Sequence, residues 1–141
     1  MSGSLPIRRL SAEAVLPTRA HADDAGLDLY GLEDVVVDPG AGAVLRTGVA
    51  VAVPAGHVGL VCDRSSLAKR GLKTAGGVID AGYRGEIGVV VWNLSPEPQS
   101  VKKGERVAQM LVIPIATPAP EETEDLGATA RGAGGFGSTG R

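Results

Sequence analysis

Residues 34–62 read DVVVDPGAGAVLRTGVAVAVPAGHVGLVC, and this run decides the fold class. Clusters of β-branched residues are cut at short intervals by turn chemistry: Asp38-Pro39-Gly40 after Val35–Val37, and Pro54-Ala55-Gly56 before His57. Proline cannot donate to a strand ladder, and glycine supplies the backbone freedom that tight turns need, so these pairs punctuate strands. The spacing predicts strands over Asp34–Asp38, Ala43–Val53 and His57–Cys62. Within the second, Val49, Val51 and Val53 alternate with alanines. That period of two places valines on one face and small side chains on the other.

Outward from this run the same pattern predicts strands over Glu86–Asn93 and Arg106–Ile115, separated by Ser95-Pro96-Glu97-Pro98 and Lys103-Gly104. Only Ser65–Arg70 has helical character. Asp63 or Ser65 is the expected N-cap, and Gly71 ends the helix after one or two turns. With 141 residues the chain suits one domain, and 43% hydrophobic but only 3% aromatic residues leave Val, Ala, Leu and Ile to build its core. The 21 glycines and 9 prolines favour many short strands over long helices. An all-β sandwich or barrel with one short helix is therefore expected.

The last part of the chain has a different composition. Residues 117–125 are rich in proline and acid, which reads as an extended linker. Residues 131–141, RGAGGFGSTGR, cannot bury a core and read as a mobile end. Two details point beyond a bland terminus: the only Phe stands there, among two arginines and two hydroxyls. The expected organisation is a β domain over 1–116, with 117–141 a linker and flexible glycine-rich arm belonging to it.

Charge and cysteine usage exclude several classes. A net charge of −2 offers no general attraction to nucleic acid or to an anionic membrane. The single cysteine, Cys62, can form neither an intrachain disulfide nor a cysteine metal cluster. No apolar run is long enough to span a bilayer. Met1–Leu10 has no apolar h-region and carries Arg8 and Arg9, so a reducing, cytoplasmic compartment is expected. His21 and His57 are far apart in sequence, belong to no ligand-spaced cluster, and read as surface or loop residues.

Candidate chemistry concentrates between Gly76 and Gly88, GGVIDAGYRGEIG. Bare main chain, the Asp80 carboxylate and the Tyr83 ring at the mouth of a strand hairpin suit a pocket for a flat small molecule, against the plainer reading of a structural hairpin. In Asp63-Arg64-Ser65-Ser66, hydroxyls and a guanidinium could meet an anion, although an ordinary helix cap is the commoner meaning of such a sequence. Asp63 beside Arg64 predicts that the two pair. Asp28, between Leu27 and Leu29, is more often a structural hydrogen-bonding residue than a metal ligand. Gln109 stands in an apolar strand and must find a neighbour's backbone or a ligand. Residues 132–137 match a dinucleotide fingerprint formally, but no strand precedes and no helix follows. Their successive N–H groups could still cradle phosphate beside Arg131. No nucleophile elbow occurs, and Cys62 has no evident base partner.

Five segments in order, Ala25–Leu29, Arg64–Ala68, Gly77–Gly85, Gly104–Met110 and Arg131–Gly140, resemble the five motifs of the trimeric dUTPase family. The resemblance covers almost the whole chain. It implies a jelly-roll-like distorted barrel, a homotrimer with shared active sites, and Mg²⁺-assisted hydrolysis of dUTP to dUMP and pyrophosphate, which limits uracil in DNA and supplies dUMP for dTMP synthesis. It implies that Gly77, Val78 and Gly88 read uracil through main-chain groups, that Ile79 also contacts the substrate and that Tyr83 packs on the deoxyribose. Asp80 would hold the 3′-OH and activate the attacking water. Arg64, Ser65, Ser66 and Gln109 would bind the phosphate chain, and Asp28 would reach the metal through water. Arm residues from another subunit would close the site, with Phe136 and Gly137 over uracil and Arg131, Ser138 and Thr139 on the outer phosphates. The second motif usually reads Pro-Arg-Ser-Gly in that family, and here Asp63 and Ser66 stand at the outer positions.

Three other readings fit the residues less well. A dCTP deaminase resembles this fold but places a general-base glutamate on the strand after the hairpin, where Val90 stands. A binding module that had lost its chemistry could have lost Asp80, Tyr83 or Arg131, and all three are present. A nucleic-acid-binding barrel needs positive charge and aromatic platforms that this chain lacks.

Overall fold

In the computed structural model, which describes residues 3–137, the valine-rich runs pair into antiparallel ladders. In chain order the strands are β1 (Ile7–Arg9), β2 (Leu27–Tyr30), β3 (Val35–Val37), β4 (Gly42–Arg46), β5 (Val49–Val51) and β6 (His57–Cys62). Helix α1 (Ser65–Lys69) follows, then β7 (Leu72–Ala75), β8 (Val78–Ile79), β9 (Gly88–Asn93), β10 (Gln99–Val101) and β11 (Arg106–Pro114). A four-stranded sheet runs β2-β11-β6-β8 and a three-stranded sheet β4-β9-β7; β1 pairs with β5 and β3 with β10. This is the jelly-roll-like β fold with one short helix that the resemblance implies.

The core lies between the sheets and is aliphatic. Leu29, Leu45, Leu72, Ile87, Val89, Val91, Val107 and Met110 are fully buried, each such side chain contributing roughly 1.5–3 kcal/mol. Along β9 the alternation is regular, with Val89, Val91 and Asn93 facing in and Trp92 facing out. Asn93 is polar yet wholly buried, and its amide is satisfied. It donates to the carbonyls of Val37 (2.9 Å) and Glu97 (2.7 Å) and accepts from Ser95, closing the turn that leads to β10.

The structure revises several expected boundaries. The strand expected over Ala43–Val53 is two strands, because the chain turns at Thr47-Gly48. Gly48 has φ +71°, and the Thr47 hydroxyl donates 2.7 Å to the Ile87 carbonyl inside the core. β1 pairs with β5 along its edge, and Ala50 on the small-residue face is buried like Val49 and Val51. Glu86 and Ile87 precede β9 rather than belonging to it. Neither Asp63 nor Ser65 caps the helix. Arg64 is its N-cap, without a side-chain cap bond. Strands β1, β7, β8 and β10 carried too short or too polar a pattern to be anticipated.

Candidate functional site

Across the four-stranded sheet Gln109 stands opposite Asp28 on one side and Cys62 on the other. The chain leaving Cys62 then brings Asp63, Arg64 and Ser65 to the same end. The result is an open cleft of about 470 Å³ lined by Asp24, Gly26, Asp28, Arg64, Ser65, Arg106 and Gln109, among others. Asp28 is half-buried and lies between two guanidinium groups, Arg64 Nε at 3.6 Å and Arg106 Nη1 at 3.8 Å. One carboxylate between two guanidiniums aligns both cations and leaves positive charge for an anion. Gly26 leaves room for the Gln109 amide: a Cβ there would stand 2.0 Å from Gln109 Oε1 and displace it. The Gln109 amide takes the backbone option, donating from Nε2 to the Asp63 carbonyl at 2.8 Å. Ser66 is exposed and does not line the cleft.

Arg106 was not anticipated as a site residue. On a regular strand Arg106 and Gln109 would point to opposite faces. Between Arg106 and Ala108 the register with β2 shifts, so that Arg106 pairs with Tyr30 while Ala108 already pairs with Leu29. Such a bulge re-aims the side chain into the cleft, and no local sequence pattern signals it.

The expected pairing of Asp63 with Arg64 does not form. Asp63 turns instead to β7, accepting from Lys73 Nζ (2.6 Å), Thr74 N (2.7 Å) and the Thr74 hydroxyl (2.8 Å). Partial burial pushes the Asp63 carboxyl upward, but these three donors and the ammonium charge outweigh it and hold the group below its ordinary range. Arg64 is thereby left to Asp28 and to the Arg106 carbonyl, 3.4 Å from its Nη1.

A second cleft, of about 270 Å³, is lined by Gly77, Val78, Ile79, Asp80, Tyr83 and Gly88. It is not a simple two-strand hairpin. β7 and β9 pair with each other, while β8 peels away to join β6 in the other sheet. Gly77 makes that departure possible, with φ +103° and a Cβ position only 2.7 Å from the Val61 carbonyl oxygen. The Tyr83 hydroxyl donates to the Glu86 carbonyl at 2.7 Å, and the ring lies so close over Gly85 that any side chain there would strike it. Glu86 is tied down in turn, accepting from Gly48 N at 2.8 Å and from Arg46 Nε at 3.3 Å. Asp80 is exposed, and among the described residues no donor engages its carboxylate.

Among the described residues, none of the arm lines either cleft. Residues 117–132 are exposed throughout, and the hydrogen bonds of Thr123, Asp125, Gly127, Gly132 and Gly134 remain within the arm. Arg131 Nε donates to the Gly134 carbonyl at 2.6 Å, while Phe136 is fully exposed at φ +50° and Gly137 is exposed beside it. Ser138 and Thr139 lie outside the described residues. The two clefts share no lining residue. One subunit thus brings Asp28, Arg64, Ser65 and Gln109 together, and separately Gly77, Val78, Ile79, Asp80, Tyr83 and Gly88, but joins neither set to Arg131 or Phe136. His21 is an exposed loop residue as expected, while His57 is half-buried at the start of β6. Among the described residues no cluster of His, Cys, Asp or Glu could hold a metal by itself. No described helix is long and apolar enough to cross a membrane.

Residues 12–140 match the dUTPase family. A deoxyuridine 5′-triphosphate nucleotidohydrolase of Mycobacterium marinum is 49% identical over 149 residues, covering 99% of this chain and 97% of its own. Its counterpart in Corynebacterium jeikeium is 51% identical over 143 residues, covering 96% and 92%. Among solved structures, the Staphylococcus bacteriophage 80alpha dUTPase with dUPNHPP superposes with a TM-score of 0.90 at 34% identity, covering 99% of this chain and all of that one. A mutant dUTPase of the S. aureus phage phi11, solved with a structural Mg(II) ion, superposes at 0.81 with 32% identity over 88% of this chain and 99% of that one.

Proposed function

The chain belongs to the dUTPase family, and from that premise we propose that it hydrolyses dUTP to dUMP and pyrophosphate. The observation that carries the reading is the second cleft, where bare main chain, the Tyr83 ring and the unengaged Asp80 carboxylate share one pocket. Uracil pairs there with main-chain groups of Gly77, Val78, Ile79 and Gly88. The Tyr83 ring, held by its hydroxyl on Glu86, packs on the deoxyribose and excludes a 2′-OH. Asp80 takes a proton from water, the water oxygen bonds to the α-phosphorus in line, and the bridging P–O bond breaks to release pyrophosphate.

The first cleft binds the phosphate chain through Arg64, Ser65, Gln109 and Arg106, while Ser66, outside its lining, takes no part. Bound Mg²⁺ supplies charge neutralisation on the phosphates. The donor set suits a metal carried mainly by phosphate oxygens, because Mg²⁺ keeps several waters and needs only one or two carboxylates, here Asp28 through water. Because the clefts are separate and no described arm residue lines either of them, the complete site is assembled in a homotrimer. The arm of another subunit would bring Phe136 and Gly137 to uracil and Arg131, Ser138 and Thr139 to the outer phosphates. The β domain of 1–116 and the arm of 117–141 then act as one catalytic unit in a cytoplasmic setting, limiting uracil in DNA and supplying dUMP for dTMP synthesis.

Product analysis with Mg²⁺ and dUTP, UTP, dCTP and dTTP tests the reading. dUMP and pyrophosphate from dUTP alone are expected. Ammonia from dCTP would move the reaction to a deaminase, and bound but unconverted dUTP would leave a nucleotide-binding module.

A further inference from the structure

We propose that Asp63 is a positioning residue for the phosphate cleft: its side chain pins the segment before Arg64 to β7, while its carbonyl orients Gln109. The inference rests on reading that cleft as the phosphate site. Oδ1 of Asp63 accepts from Thr74 N at 2.7 Å and from the Thr74 hydroxyl at 2.8 Å, and Oδ2 accepts from Lys73 Nζ at 2.6 Å. β6 and β7 belong to different sheets, so these bonds clamp one sheet to the other at the residue preceding Arg64. The main-chain oxygen of Asp63 meanwhile receives Gln109 Nε2 at 2.8 Å. Only the NH₂ end of an amide can approach a carbonyl oxygen, so this contact sets the amide's orientation and leaves its second N–H for an anion. The main chain on either side is held by the β6–β11 ladder and the first helical turn, but the Arg64 side chain has weaker restraints. The helix N-cap makes no side-chain cap bond; the Arg64 carbonyl accepts from Leu67 N and Ala68 N at 3.1 and 3.0 Å, but its guanidinium has only longer contacts, at 3.4 and 3.6 Å. The placement of Arg64 and Gln109 thus depends on a carboxylate that itself faces away from the substrate.

Steady-state kinetics on dUTP, with inhibition by deoxyuridine measured in parallel, separate positioning from general loosening. Asp63→Ala is expected to raise the KM for dUTP about tenfold, the worth of one charge-assisted hydrogen bond, with kcat within about twofold. Inhibition by deoxyuridine, which lacks phosphates, stays at the wild-type value. Asp63→Asn keeps an oxygen for both Thr74 donors and holds KM within about twofold of wild type. An unchanged KM in Asp63→Ala, or an equal loss for deoxyuridine, overturns the proposal. Should Asp63→Ala fail to fold, Thr74→Val carries the same comparison: a raised KM with unmoved deoxyuridine inhibition supports the role, and no change in either overturns it. A wild-type protein inactive on dUTP overturns the functional reading instead. Asp63 is then judged by whether inorganic tripolyphosphate binds Asp63→Ala more weakly than wild type.

Discussion

Two carboxylates illustrate how environment divides labour between identical chemical groups. Asp80 is exposed and without a donor among the described residues, so its lone pairs are available to a water molecule. Replacing it by Asn removes a base and little else. Asp80→Asn is expected to lower kcat by about 10²–10⁴ while KM for dUTP and urea stability stay near wild type; a near-normal kcat would remove Asp80 as the base. Asp63, by contrast, is committed to structure. Its folded pKa lies below the ordinary carboxylate value of 3.8, so its stabilising effect is complete above that pH and fades as the pH falls through the lowered folded value. Urea titrations of wild type and Asp63→Asn should therefore differ in midpoint at pH 6, and the gap should shrink below pH 3.8. A gap that widened on acidification would reverse the sign of the argument.

At the scale of elements, the loop between β8 and β9 holds its shape through the β4–β5 turn. Thr47 reaches Ile87 O, Ile87 N reaches Val49 O, and Gly48 N with Arg46 holds the Glu86 carboxylate, whose own carbonyl receives the Tyr83 hydroxyl. Thr47→Val leaves a buried carbonyl without its hydroxyl donor and should cost about 1–3 kcal/mol in urea unfolding. Glu86→Ala frees the loop bearing Tyr83. The ratio of kcat/KM for dUTP over UTP is expected to fall several-fold, more than kcat for dUTP itself. An unchanged ratio would show that Tyr83 is held by its ring contacts alone.

For the whole molecule, the decisive feature is an arm whose described residues contribute nothing to the buried core, with Thr123 and Arg131 bonding inside the arm. Removing residues 131–141 should leave the thermal midpoint within about 2 °C, since none of the described residues in this stretch is buried. Turnover of dUTP should nonetheless fall by about two orders of magnitude or more, because closure over the substrate is lost. Unchanged kinetics would make the arm a passive end.

Much of this was legible beforehand because it depends on chemistry repeated along the chain. Valine runs broken by Pro-Gly turns specify strands, and β6 forms over the expected His57–Cys62. The glycine-rich run around Asp80 and Tyr83 is read from residue type, since few side chains tolerate such close backbone approach. What local pattern could not contain is whatever one segment does to another. The bulge that turns Arg106 into the cleft is a register relation between β11 and β2. Asp63's choice of Lys73 and Thr74 over neighbouring Arg64 follows from two sheets meeting at that corner. The longer valine-rich strands, such as β6 and most of β9 and β11, and most of the candidate chemistry were thus determined by the sequence alone, through side-chain volume, branching and turn preference. Strand partners, the division into two clefts and the role of Asp63 were decided only by tertiary structure, because hydrogen bonds and charge pairs form between groups that folding, not sequence order, brings within reach.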